Sequence, residues 1–332
     1  MRAAWIAIAG ACLAPFALGC GDASNGPTGC DGGDAQASAD VLDAAFDAAI
    51  DGSGADGEAG LVTDGAGSDA AASPKAYLRV ANWSPDAPAV DFCIAPYGTS
   101  AFQGPLVGTL AASLDASAPA LAFPLVSAYL GLAPAQYDVR LVVSGASSCA
   151  VGIGNDLTTM PSLAANAFTT IALLGENVPA GGDPALRVTA FVDGATSTGS
   201  VSLRFINAAP ALAQATLGTG SLASGKFKPL FSGVAFGTAS TSQQAQVPDA
   251  STVAVDPHGY ILGITLSGAT LSAHASGATA DAVLTSGLTA APGASLTIAL
   301  VGATSAGAPA QLLECVDNAG TAGALSNCMV LP

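Results

Sequence analysis

An internal repeat with a spacing of about 125 residues runs through this 332-residue chain from residue 76 onward. The segment Leu78–Pro85 (LRVANWSP) aligns with Leu203–Pro210 (LRFINAAP). Two further pairs follow in the same order at nearly the same spacing: Thr170–Gly175 with Thr297–Gly302, and Val192-Asp193 with Val316-Asp317. These matches predict two homologous domains, 76–198 and 199–332, each large enough to bury its own core.

Short runs in which apolar and polar side chains alternate predict β-strands in both halves. Residues 90–94 (VDFCI) and 137–143 (YDVRLVV) alternate with a period of two, as half-buried strands do. Similar runs lie at 78–83, 168–174, 186–192, 201–206, 251–255, 260–266 and 296–301. No window has the period of a long amphipathic helix. We therefore predict an all-β chain with two tandem Ig-like antiparallel β-sandwich domains.

The first twenty residues have the order of regions found in a bacterial lipoprotein signal. Arg2 precedes an apolar run from Ala3 to Leu18, and small residues lead to Cys20, with Ala17 at the position where leucine is commonest. We expect cleavage before Cys20 and lipidation of its thiol. The lipid would tether the chain to the bacterial cell envelope, at the outer membrane or the cell surface. An ordinary secretory signal and an uncleaved anchor are the alternatives, and all three export the chain.

Residues 21–75 have the composition of a disordered linker rich in Ala, Gly and Asp. From 21 to 74 the segment contains eleven acidic residues and no Lys or Arg, so it cannot bury enough apolar surface to offset its ordering entropy. Repulsion between its charges should keep it extended. The whole chain has a formal net charge of −16, which argues against a nucleic-acid partner.

The start of the repeat carries a family resemblance. Residues 78–91 (LRVANWSPDAPAVD) resemble the opening signature of the bacterial domain of unknown function 4397, which often occurs as tandem copies in exported proteins. The match is strongest over Ser84–Asp91, and the second copy keeps Leu203-Arg204, Asn207 and Pro210. The resemblance implies a fold and a surface location. It implies no activity, because the family has none established.

Five cysteines follow the lipidation site, in a compartment where disulfides persist: Cys30, Cys93, Cys149, Cys315 and Cys328. The four cysteines within the repeats allow three pairings. We predict Cys93 with Cys149 and Cys315 with Cys328, because each pair then lies within one repeat. Cys30 remains alone in the linker, either free or paired between chains.

Motifs for catalysis, cofactors or metals find no support in the sequence. The chain has two histidines, His258 and His274, and it lacks a G-x-S-x-G nucleophile motif. His258 lies in a Pro/Gly turn, and no short-spaced histidine pair could hold zinc. Gly218–Ala223 (GTGSLA) fits the letters of a dinucleotide fingerprint, but its neighbours predict strands, so we expect a hairpin turn there. We predict no catalytic, cofactor-binding or metal-binding residue.

Three residues of the signature segment remain as speculative binding residues. Trp83 would stack on a sugar if exposed, or pack over a strand edge if buried. Asp86 and Asp91 would hold a calcium ion, or accept hydrogen bonds from turn amides. Arg79 and Arg204 occupy equivalent positions, and we expect them to pair with an aspartate such as Asp91 or to cover the sheet with their methylene groups.

Taken together, the sequence predicts an exported lipoprotein, tethered to a membrane by its lipid, that acts as a non-enzymatic binding, adhesion or envelope-structural module. A glycan or a protein at the cell surface would be its ligand. The alternative from another class is a hydrolase acting on cell-envelope or extracellular polymers. Its natural signature would be a nucleophile with a base, or two close carboxylates.

Overall fold

The computed structural model describes residues 73–108, 121–194, 201–246, 254–264, 266, 269–286, 288, 293–317 and 328–332. The predictions for the signal segment, Cys20, Cys30 and the linker as far as residue 72 lie outside the described residues. Within them, no helix is long and apolar enough to span a bilayer. The described residues form sixteen strands: β1 (Ala76–Asn82), β2 (Val90–Pro96), β3 (Leu130–Leu132), β4 (Tyr137–Val143), β5 (Phe168–Leu174), β6 (Arg187–Asp193), β7 (Val201–Asn207), β8 (Gln214–Thr219), β9 (Lys228–Ala235), β10 (Thr238–Ala239), β11 (Ile261–Ile264), β12 (Leu271–Ala275), β13 (Val283–Thr285), β14 (Ser295–Val301), β15 (Gln311–Val316) and β16 (Cys328–Val330).

The first half of the chain is a β-sandwich. One sheet has the order β3-β1-β5-β6, and β2 pairs with β4 to form the other. Strands β1 and β5 run parallel, and the remaining pairs are antiparallel. Leu78 and Val80 of β1 pack in a core with Phe92 of β2 and Leu141 of β4. The apolar side chains on the inner faces of the two sheets therefore pack against each other and form the core of the first half.

The second half repeats this arrangement with additional strands. Strand β7 runs parallel to β14, as β1 does to β5, and β15 pairs with β14 as β6 pairs with β5. Strands β8 and β12 pair as β2 and β4 do, with β9 and β13 added on either side. Strands β10 and β11 both pair with β7 on the side away from β14, and β16 pairs with the outer edge of β15. Leu203, Phe205 and Ile298 lie in the core of this half.

A third apolar cluster joins the two halves. Strand β1 is buried on both faces, because Leu78 and Val80 belong to the first core while Ala81 points to the opposite side. There Ala81 and Phe191 pack in one cluster with Ile206 and Leu313 of the second half. No described strand of one half pairs with a strand of the other. The two halves are therefore held together by side chains.

The prediction of an all-β sandwich fold is confirmed, and most of the alternating runs are strands. The run 251–255 is an exception within its described part, since Val255 makes a single bridge to Ile261. The prediction for Gly218–Ala223 is confirmed, because β8 and β9 are antiparallel and Gly220 takes a positive φ of 79° in the connection. The Ig-like connectivity and the boundaries 76–198 and 199–332 stay predictions.

Candidate functional site

Two arginines lie in the middle of the equivalent strands β1 and β7. Arg79 is in register with Thr170 on β5, and Arg204 is in register with Thr297 on β14. Both arginine side chains are almost completely buried. Because side chains alternate along a strand, Arg79 points to the same side as Ala81, toward the other half of the chain.

Each arginine pairs with an aspartate of the other half. Arg79 Nη2 donates to Asp317 Oδ1 over 2.5 Å, and Arg204 Nη2 donates to Asp193 Oδ1 over 2.6 Å. Each also donates through Nη1 to the carbonyl before that aspartate, at Val316 (3.2 Å) and Val192 (2.7 Å). Asp193 ends β6 and Asp317 follows β15, so the two pairs are related by exchange of the halves.

A threonine and a tyrosine in each half complete the arrangement around the local aspartate. In the first half, Thr170 Oγ1 (2.8 Å) and the Tyr129 hydroxyl (2.6 Å) donate to Asp193 Oδ2. In the second half, Thr297 Oγ1 (2.5 Å) and the Tyr260 hydroxyl (2.6 Å) donate to Asp317 Oδ2.

The arginines also contact these groups of their own half. Arg79 Nε donates to Thr170 Oγ1, and Arg204 Nε donates to Thr297 Oγ1. The guanidinium carbon of each arginine lies 4.6 Å from the ring centre of Tyr129 or Tyr260. We call these residues the shared polar cluster: Arg79, Tyr129, Thr170, Asp193, Arg204, Tyr260, Thr297 and Asp317.

Burial and charge act in opposite directions in the shared polar cluster. Burial raises the pKa of Asp317 above its ordinary value, although the guanidinium groups of Arg79 and Arg204 act to lower it. Burial raises the pKa of Tyr129 and of Tyr260 well above the usual value, so both phenols are neutral donors. Burial alone would lower the pKa of Arg79, but the carboxylates of Asp193 and Asp317, together with the hydrogen bond to Asp317, raise it above its ordinary value. Two guanidinium charges thus face two carboxylate positions, and the donors around them are paired. The cluster can hold the halves together but presents no open position to a ligand.

Two further polar contacts cross between the halves, away from the end of β6 that carries Asp193. Asp183 accepts hydrogen bonds from Ser305 N (2.6 Å) and Ser305 Oγ (2.7 Å). Arg187 Nη2 donates to the carbonyl of Phe236 over 2.8 Å, and its guanidinium lies over the Phe236 ring. The contact between the halves is therefore apolar in part and polar at several separate points.

The speculative binding residues have structural roles in the described part of the chain. Trp83 is fully buried and packs near Phe191, so the hypothesis of an exposed sugar platform is wrong. Asp86 accepts hydrogen bonds from the backbone N–H groups of Asn177 (2.7 Å) and Val178 (2.8 Å). These contacts tie the signature loop to the loop after β5.

Asp91 is buried and does not pair with either arginine, so that part of the prediction was wrong. Its carboxylate accepts backbone hydrogen bonds from Phe92 (2.6 Å), Val107 (2.8 Å) and Gly108 (2.9 Å). The carboxylate satisfies amides that have no strand partner, as aspartate does in turns. Among the described residues, no group of acidic, histidine or cysteine side chains could hold a metal ion.

Asn82 at the end of β1 and its equivalent Asn207 at the end of β7 make the same set of side-chain hydrogen bonds to the backbone. Asn82 Nδ2 donates to the carbonyls of Pro88 and Leu121, and the N–H two residues later donates to Asn82 Oδ1 over 3.2 Å. Asn207 Nδ2 donates in the same way to Leu212 and Val234, with the N–H of Ala209 returning to Asn207 Oδ1. In both repeats, therefore, an asparagine at the end of the first strand holds the following turn and a neighbouring segment in place through backbone hydrogen bonds.

Both predicted disulfides are confirmed. Cys93 on β2 bonds to Cys149, 56 residues along the chain, and Cys315 on β15 bonds to Cys328 on β16. Each bond lies within one repeat. The second bond fixes the last described strand to the sheet of the second repeat.

The histidines lie in separate surroundings. His258 is exposed in a turn, where its backbone N–H donates to Asp256 Oδ1. His274 is buried on β12, with Nδ1 2.8 Å from the carbonyl oxygen of Ala275 and its ring edge-on to Phe227.

Glu314 on β15 is a buried acidic residue outside the shared polar cluster. Burial raises the pKa of its carboxyl group to about 7, and one of its carboxyl oxygens has no partner among the described residues.

The comparison with known proteins gives one family. Residues 76–215 match the family described as Domain of unknown function (DUF4397), from the start of β1 into β8. The chain thus contains a DUF4397 domain. The match contains Arg79, Asp193 and Arg204, and Asp317 lies beyond it. No curated protein matches the chain.

Sequence reasoning found the two arginines but missed their partners. Asp193 and Asp317 were visible as a repeat match at the end of equivalent strands, next to Val192 and Val316. The signal that could have identified them is an ionisable residue kept in both copies within otherwise apolar strands. Burial of such a charge requires a partner of opposite sign.

Proposed function

We propose that this DUF4397 protein is an exported, lipid-anchored protein of the bacterial envelope whose two repeats act as a rigid, non-enzymatic binding, adhesion or structural module. The lipoprotein-type signal before Cys20 and the acidic segment that follows support the tether. The two disulfides suit an oxidising compartment.

The observation that carries the proposal is the reciprocal pairing of Arg79 with Asp317 and Arg204 with Asp193. Each repeat supplies the closest partner of the charge that the other repeat buries, so turning one repeat away would break both short ion pairs. Only the longer contacts within each repeat would remain, Arg79–Asp193 at 3.9 Å and Arg204–Asp317 at 4.0 Å. A chain built this way presents its outer surfaces at a fixed mutual orientation. That property suits a module that holds or spaces partners on a cell surface.

The tether predicts that Cys20→Ser releases the protein from membranes and leaves its thermal unfolding unchanged, because lipidation requires the thiol. Cells labelled with a palmitate analogue should incorporate label into the wild type and into Cys30→Ser, the matched control. Cys20→Ser should be unlabelled and should appear in the soluble fraction. Label retained on Cys20→Ser would contradict the proposed lipid site.

A further inference from the structure

The two repeats differ at one equivalent sheet edge. In the second repeat, β16 pairs antiparallel with the outer edge of β15, and the N–H of Leu331 donates to the carbonyl of Leu312 over 2.8 Å. The Leu331 side chain is 6% exposed and belongs to the core of that repeat. The carbonyl of Pro332 accepts a hydrogen bond from Thr285 on β13. The segment from Cys328 onward thus closes the side of the second sandwich.

Strand β6 is the corresponding edge of the first repeat. Leu173 pairs with Val188 in the register of β5 and β6, as Leu300 pairs with Leu312 in the register of β14 and β15. Among the described residues, β6 is the last strand of its sheet. Val188 is only partly buried, whereas Leu312, which packs in one cluster with Leu331, is fully buried.

An open cavity lies beside β6, where the described residues of the first repeat include no counterpart of Leu331. Its volume is about 160 Å³, and its apolar lining is formed by Ile153, Leu157, Leu173, Leu186 and Val188. Asn155, Asp156 and Arg187 line the remainder. An apolar cavity of about 150 Å³ accommodates a group the size of benzene, so this one can accept a leucine side chain.

The backbone of β6 is also arranged to accept another strand. The N–H of Trp83 donates to the carbonyl of Leu173, so Leu173 and Ile171 direct their backbone groups toward β1. Val188 and Ala190, which lie opposite Leu173 and Ile171, therefore direct theirs away from β5. Outward N–H and C=O groups on an edge strand are the groups that bind an added peptide.

We propose that this edge of the first repeat binds an extended apolar peptide segment of a partner protein. The segment adds antiparallel to β6 and inserts a leucine-sized side chain into the cavity, as Leu331 does in the second repeat. The chain's own β16 is the basis for this choice of occupant, because it shows which strand direction and side chain the equivalent edge accepts. The inference rests on the binding role proposed above and gives it a partner class.

The probe is a fluorescent peptide with the sequence of residues 326–332 and serine in place of Cys328. It is added to the full chain without its signal segment, and binding is measured by anisotropy. We expect saturable binding, and we expect the same peptide with Leu331→Asp to bind at least tenfold more weakly. The chain's own β16 should resist displacement, since the Cys315–Cys328 bond holds it.

Three protein variants locate the binding site. Ala190→Pro removes an outward N–H without removing a bond to β5 and should weaken binding at least tenfold, while Ala190→Ser keeps the N–H and should bind like the wild type. Val188→Phe keeps every N–H but fills the cavity, so it should weaken binding even if Ala190→Pro fails to fold.

Three results would overturn the inference. They are no saturable binding to the wild type, equal binding to Val188→Phe, and self-association of the wild type through β6 that Ala190→Pro abolishes, which would assign the edge to a second copy of the chain. The membrane test with Cys20→Ser reports on the tether independently of all three.

Discussion

Arg79→Met is expected to lower the free energy of unfolding by about 3–5 kcal/mol, because it leaves Asp317 buried without its direct partner. Arg79 Nη2 is 2.5 Å from Asp317 Oδ1 and 3.9 Å from Asp193 Oδ2, so one substitution disturbs both carboxylates of the shared polar cluster. Chemical denaturation followed by circular dichroism measures the change. Asp317→Asn should have a cost of similar size.

The matched control is Arg140→Met, which breaks an ion pair of similar geometry at the surface. Arg140 donates to Asp156 through Nε and Nη2 and to the carbonyl of Cys149 through Nη1, with side-chain exposures of 23% and 29% for the pair. Because solvent screens this pair, its loss should cost less than that of Arg79, about 1–2 kcal/mol. A double-mutant cycle between Arg79 and Asp317 should give a coupling energy of about 1–3 kcal/mol. Equal costs for Arg79→Met and Arg140→Met would contradict the assigned role of the cluster.

Cys93→Ala is expected to destabilise the first repeat by about 2–5 kcal/mol, because it opens a loop of 56 residues within a packed sandwich. The sulfur atoms lie in a small buried cluster with Val142, so the substitution also removes apolar contacts there. Thermal unfolding under non-reducing conditions measures the loss.

Cys30→Ala is the control, since the sequence places Cys30 before the repeats in the acidic segment, and its unfolding should match that of the wild type. Non-reducing peptide mapping should recover Cys93 joined to Cys149. A peptide joining Cys93 to Cys315 or Cys328 would contradict both the pairing and the covalent independence of the repeats.

The sequence predicted the features that depend on local pattern or on chain position. Alternating apolar residues located β4 and β5, because alternate side chains such as Val139 and Leu141, or Ile171 and Leu173, pack in the core of the first repeat. Repeat membership selected the correct disulfides among the three possible pairings. The strands β8 (QATLGT) and β12 (LSAHA) were missed because small residues such as Gly, Ala and Ser blur the contrast between the two faces.

The pairing within the shared polar cluster could not be predicted, because the partners belong to different repeats. Asp86 and Asp91 are the acidic residues of the signature and lie close to Arg79 in the sequence, but Asp317 lies 238 residues away and is the one that pairs. Pairing between repeats depends on how two sheets face each other, and neither periodicity nor spacing within one repeat encodes that. The cavity beside β6 could not be predicted for the same reason, since only a comparison of the two folded repeats shows that it corresponds to the position of Leu331.

The central claim is that the shared polar cluster and the apolar residues around it hold the two repeats together without help from the connecting chain. Replacing residues 195–200 with a protease recognition sequence and cutting the purified protein there tests this claim most directly. Native mass spectrometry after cleavage should find the two halves as a one-to-one complex. Separation into two halves that each remain folded would contradict the account.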